Sequence, residues 1–172
     1  MIKNNHKVYL DNACTSVYSD EILSCAEDFI ALLKDEKLSA SQKTVKLQSF
    51  LMNARKRVAE LIGCTPDEVA LVESTSHGLG IISEIVDLKA EDNVLICDLE
   101  YQASYLCLTR KQKRVGFEIR KVKNVDGEIT AEIFKNYIDN NTRIIILSSV
   151  QEINGYRAEI RTIADLAHEH GC

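Results

Sequence analysis

The chain has 172 residues, 45% hydrophobic and 27% charged, with 21 Lys plus Arg against 26 Asp plus Glu and a net charge of −5. That is the balance of an ordinary globular protein, long enough to bury a core without disulfides or metals. The acidic excess argues against nucleic-acid binding, and the densest apolar run, Ile144–Leu147, is far too short to span a bilayer. Met1–Lys7 has no apolar leader stretch, so a cytoplasmic address is expected. The six cysteines, at 14, 25, 64, 97, 107 and 172, include no C-x-x-C pair and read as free thiols rather than a zinc site or a disulfide framework.

In chain order, Val8–Leu10 reads as a short strand, followed by a turn over Asp11–Ser16. A helix is expected from Ser19 or Asp20 to about Lys34, with acids in its first turn. Residues 35–41 are polar and read as a loop. Leu47, Phe50, Leu51, Ala54, Val58, Leu61 and Ile62 then recur at three- and four-residue steps, the stripe of a helix over 42–62 that Gly63 ends. Thr65-Pro66-Asp67-Glu68 has the form of a capping box and predicts one helical turn.

Beyond it the pattern alternates. Strands are expected at 69–72, 93–97, 117–122 and 143–148, and helices at 76–87, 101–114, 131–139 and 159–170, with a turn at Asp126-Gly127. Such alternation predicts an α/β fold in three layers, a mostly parallel sheet with helices on both faces. Ile144–Leu147 is apolar at every position, as a strand buried on both faces requires. No internal repeat or interdomain linker is visible. Residues 1–40 read as an N-terminal arm and helix, and 41–172 as an α/β domain. The strand that should follow the helix ending at Gly171 is absent from the chain, so the sheet is expected to be incomplete.

Ligands of open α/β sheets bind beyond the carboxyl ends of the strands. At the first such end, Ser74, Thr75 and Ser76 stand where a helix begins, and free N–H groups with hydroxyls there make a phosphate cradle. A plain Ser/Thr N-cap would need only one of them. The same segment holds Gly78-x-Gly80-x-x-Ser83, with Asp98 at the end of the next strand, which supports a rival reading as an NAD-binding domain. The second and fourth strand ends bring Cys97–Ser104 and Leu147–Arg157 to the same rim. Tyr101 there is either a stacking platform for a flat cofactor or a packing residue at a helix start.

In this order the segments resemble the class V aminotransferases and cysteine desulfurases. Tyr9–Thr15 is similar to their opening Y-L-D-N-A-A-T, and Arg57–Gly63 with Pro66-x-Glu68-Val69 to their next segment. Val72–Gly80 resembles the T-S-G-A-T-E-G turn, and Asp98–Tyr101 the D-x-E-H or D-x-E-Y-P turn. Ser148–Gly155 and Ile160–Gly171 resemble S-H-V-S-N-x-x-G and I-x-x-I-A-x-L-A-H-x-x-G.

The resemblance implies a fold-type I large domain that binds pyridoxal 5′-phosphate (PLP), acts on an amino acid and is a homodimer when intact. It implies that Ser74, Thr75 and Ser76 hold the cofactor phosphate and that Tyr101 stacks on the pyridine. Glu152 falls on the Asn that meets the phenolic oxygen, with Gln151 beside it, and Asn12, Ala13 and Cys14 lie on the substrate side. Tyr101 in place of His suits the E-Y-P branch and argues against a desulfurase, and an acid at 152 stands awkwardly beside a phenolate. The family's pyridinium-binding Asp and cofactor-holding Lys would follow Cys172. The expectation is therefore the N-terminal part of such an enzyme, without turnover of its own. The rivals are an NAD-binding domain and a non-catalytic remnant that binds a phosphate ligand.

Overall fold

The computed structural model describes residues 8–172, and Met1–Lys7, read above as lacking a leader stretch, lie outside them. The described chain falls into two compact units that meet between Leu71 and Val72.

In the first unit the Asp11 carbonyl accepts from Cys14 N at 3.3 Å and Thr15 N at 3.2 Å, closing the expected turn. The strand expected at Val8–Leu10 does not form. A strand exists through its ladder, and these exposed residues have no strand partner among the described residues. Helix α1 (Asp20–Lys34) starts where Ser19 Oγ accepts from Ile22 N. Helix α2 (Ala40–Ile62) begins inside the expected loop, because Ser39 and Gln42 cap each other's backbone N–H groups. It ends at Gly63 in the left-handed region (φ 76°). The apolar stripe is present but only Ala59 is buried within it, and Leu61 is 84% exposed. Pro66–Glu68 makes the single turn, with Thr65 N and Oγ1 both donating to Glu68 Oε2 at 2.8 Å.

The strand expected at 69–72 is also absent. Val69 is buried, but its carbonyl accepts from Arg55 Nε at 2.8 Å instead of from a ladder partner.

The second unit is α/β. Strands β1 (Asn93–Cys97), β2 (Glu118–Val122) and β3 (Thr142–Ile146) form a parallel sheet in the order β2-β1-β3. Val94 of β1 lies opposite Ile119 on one side and Ile144 on the other. Helices α3 (Thr75–Ile85), α4 (Gln102–Val115), α5 (Ala131–Lys135) and α6 (Ile160–Glu169) alternate with the strands. Side chains of β1 point alternately to two cores. Leu95 and Cys97 pack with Phe134, Ile163 and Leu166, from α5 and α6. Val94 packs with Leu88, Leu108 and Phe117, on the side of α4. Central β1 is therefore buried throughout, and the three layers are those expected. Helix α5 stops four residues short of 139. The Asp139 carboxylate accepts from Asn93 Nδ2, Asn141 N and Arg120 Nη1, which ties the chain to the strand starts instead of prolonging the helix. Among the described residues no helix is long and apolar enough to cross a membrane.

Candidate functional site

Ser74 has extended backbone (φ −163°, ψ 164°) and caps α3, its Oγ accepting from His77 N at 3.1 Å. Thr75 and Ser76 form the first turn and are exposed, and their N–H groups have no acceptor among the described residues. Gly78 and Gly80 sit inside α3, with no left-handed backbone. They make no glycine turn ahead of the helix, so the dinucleotide fingerprint does not form.

The direction of α3 follows from its other end. Lys111 of α4 donates to Ser83 O at 2.7 Å and Val86 O at 2.5 Å, and Arg114 pairs with Glu84 at 2.7 Å. These contacts join the last turns of two helices that pack side by side, so α3 and α4 run the same way. Their first turns share an end. Helix α4 starts directly beyond the carboxyl end of β1, so the Ser74–Ser76 turn belongs to that end of the sheet.

The β1 exit is held by carboxylates. Asp98 Oδ1 accepts from Asn124 N at 2.9 Å and Asn124 Nδ2 at 3.1 Å, tying β1 to the exit of β2. Glu100 reaches the exit of β3. Its Oε2 accepts from Ser148 N at 2.6 Å, and its Oε1 accepts from Ser148 Oγ, from Tyr101 N at 3.1 Å and from Ser104 Oγ at 3.3 Å. Tyr101 is the N-cap of α4 and is 55% exposed, so its ring is free to cover a ligand.

After β3 the chain makes a tight loop. Ala158 N donates to Ser149 O at 3.0 Å, and Gln151 N to Tyr156 O at 2.9 Å. Gln151 is 1% exposed; its Nε2 donates to Ser148 O at 3.1 Å and its Oε1 is buried without a partner. Glu152 is exposed. Asn154 Nδ2 donates to Gly127 O at 2.7 Å and pins the loop to the Asp126-Gly127 turn.

The expected residues thus divide in two. Ser74, Thr75, Ser76, Tyr101, Gln151 and Glu152 all lie in the second unit, at the strand-exit end. Asn12, Ala13 and Cys14 lie in the exposed turn of the first unit. Sequence reasoning gave Glu100, Ser148 and Lys111 no role. The pairing of Glu100 with Ser148 spans 48 residues and leaves no local signal. Burial lifts the Cys97 thiol, which lines a cleft of about 190 Å3 with Asp98, Glu100, Tyr105 and Lys121, to about 11.

These residues fit an anionic, flat cofactor. The open first turn of α3 suits a phosphate, the exposed Tyr101 ring suits an aromatic face, and the orphaned Gln151 Oε1 offers a buried acceptor.

Residues 8–172 match the family model described as aminotransferase class-V. A cysteine desulfurase of Escherichia coli O7:K1 is 25% identical over 173 residues, which cover 95% of this chain and 42% of that protein. The chain therefore spans about two-fifths of the length of the curated relatives it matches. Among solved structures, the cysteine desulfurase CsdA of Escherichia coli superposes with a TM-score of 0.83 at 18% identity, over 95% of this chain and 42% of that one. A C-DES variant with glycine covalently linked to the PLP cofactor gives 0.79 at 18% identity, over 86% and 39%. These likenesses share the α/β layering, and with a family match that takes in every described residue, the chain belongs to the class V aminotransferase family.

Proposed function

We propose that the chain is the N-terminal part of a PLP-dependent enzyme acting on an amino acid, and that it supplies the phosphate cradle and one face of the cofactor site. The observation that carries this reading is the open first turn of α3 at the strand-exit end, where Tyr101 also stands. PLP, when bound, supplies an electron sink that the protein's own side chains lack.

The chain's residues bind and orient. Thr75 and Ser76 offer backbone N–H groups and hydroxyls to the phosphate, while Ser74 keeps the helix capped. Tyr101 lies against the pyridine. Gln151 and Glu152 stand at the ring's polar edge, and Gln151 Oε1 there is a buried acceptor without a partner among the described residues. Asn12, Ala13 and Cys14 are assigned to the substrate by the family resemblance alone. Transamination, desulfuration, lyase and epimerase chemistry all share this framework. The intact enzyme is read as a cytoplasmic homodimer, with residues 1–40 as its arm and 41–172 as the start of its large domain.

Titration with PLP tests the reading. A saturable visible circular-dichroism band, displaced by inorganic phosphate and not by a nicotinamide dinucleotide, is the expected result. No band, or dinucleotide binding in its place, overturns it.

A further inference from the structure

We propose that Glu100 is a positioning residue that sets the gap between Tyr101 and the Ser148–Gln151 loop, and so the width of the slot for the cofactor ring. This rests on the PLP reading above.

The β1–β3 ladder ends at the pair Ile96–Ile146. Beyond it no backbone hydrogen bond joins the two strands' continuations among the described residues. Glu100 carries the link past that point. Two of its four donors, Tyr101 N and Ser104 Oγ, belong to the start of α4. The other two, Ser148 N and Oγ, belong to the β3 exit. The Ser148 carbonyl in turn accepts from Gln151 Nε2 at 3.1 Å. One connected run of hydrogen bonds therefore leads from the Tyr101 backbone to the Gln151 amide, with a single carboxylate at its centre.

A carboxylate suits this place because it only accepts, and every partner donates. No Lys or Arg pairs with Glu100 among the described residues. Its charge is met by N–H and O–H groups and by the N-terminal end of the fourteen-residue helix α4. An amide at this position would turn one acceptor into a donor and face it towards an N–H or a hydroxyl.

The test compares the wild-type chain with Glu100→Ala and Glu100→Gln. PLP affinity is read by visible circular dichroism, and inorganic phosphate by its competition against PLP. Glu100→Ala should weaken PLP about tenfold, the equivalent of one charge-assisted hydrogen bond, and Glu100→Gln should fall between. The inhibition constant for phosphate, which needs only the α3 turn, should stay within about twofold, less than half a kcal/mol on the same scale. A general loosening of the fold would weaken both together, and that result, or an unchanged PLP affinity, overturns the proposal. Amide hydrogen exchange on ligand-free Glu100→Gln supplies an independent reading. Tyr101 and Ser148 should lose protection together, and loss at one alone refutes the coupling even if Glu100→Ala does not fold. If wild-type protein fails to bind PLP, the cofactor reading falls, while the joint exchange at Tyr101 and Ser148 still decides whether Glu100 couples the two segments.

Discussion

The Lys111 ammonium of α4 lies 2.7 Å from the Ser83 carbonyl of α3, and Lys111 is only 6% exposed. The same group reaches the carbonyls of Glu84 and Val86, so one cation closes the C-terminal end of its neighbour helix. It meets three acceptors that a helix end otherwise leaves open.

Lys111→Met keeps much of the stem's packing and removes the donor. It should destabilise the fold by about 1.5–3 kcal/mol, as expected for hydrogen bonds to a charged group. Urea unfolding followed by far-UV circular dichroism measures this. A loss under about 0.5 kcal/mol would mean that water satisfies these carbonyls equally well.

Asp139 is held well below the usual carboxylate range, chiefly by Arg120 and then by Asn93 and Asn141 N. Its folded pKa is depressed, so its contribution is present above the unfolded value near 4 and is lost as pH falls below it towards the folded value. Arg120 also lowers Glu118, which adds to the loss in the same direction. Urea midpoints between pH 7 and pH 2 should fall less steeply for Asp139→Asn than for the wild type. Parallel slopes would remove Asp139 from the acid transition.

Cys97 has the opposite sign. Its thiol is raised to about 11 by burial, so the stability it contributes below the unfolded value near 8.5 is lost as pH rises towards 11. The six cysteines are free thiols; Cys14 and Cys25 are exposed and Cys97 is buried. Under native conditions a thiol reagent should modify Cys14 and Cys25 first and Cys97 last, as mass-spectrometric mapping would show. Early labelling of Cys97 would contradict its place in the core.

Gly127 occupies the left-handed region (φ 83°), and a Cβ there would lie 3.0 Å from Asn154 Nδ2. Gly127→Ala should cost roughly 1–2 kcal/mol from backbone strain alone. It should also loosen Asn154, which anchors the loop carrying Gln151. A lowered melting temperature with faster amide exchange at Gln151 is expected, and an unchanged melt would show that the turn relaxes freely.

Tyr101 should act through its ring rather than its hydroxyl. Tyr101→Phe should keep PLP affinity and Tyr101→Ala should lose about tenfold, near the upper range for one aromatic contact. Equal losses would point to the hydroxyl, and no loss in either would take the ring out of the site.

The α/β alternation, the parallel order and the caps at Ser19 and Gly63 were legible in the sequence because each is a local signal of period, charge or backbone freedom. The absence of strands at Val8–Leu10 and Val69–Val72 was not, because apolar, β-favouring residues become a strand only beside another strand. The start of α2 lies in the capping box Ser39-x-x-Gln42, whose residues are indistinguishable by type from the polar loop around them. At the site, the hydroxyl turn and Tyr101 carried type-specific cues. Glu100 did not, since its meaning comes from Ser148, and only the β1–β3 pairing brings that residue near.

The central place of β1 sets the order in which the chain can finish folding. Its first neighbour, β2, is synthesised soon after it, but Thr142, opposite Asn93 in β3, comes 49 residues later. At ~5–20 residues per second this separation takes roughly 2–10 s of synthesis. Val94 and Leu95, completely buried in the finished sheet, are covered only in part during that interval. One side of β1's backbone bonds only to water until Ile144–Ile146 arrives. Slow codons between Lys123 and Asn141 would lengthen that exposure and lower the yield of folded protein without changing a single residue.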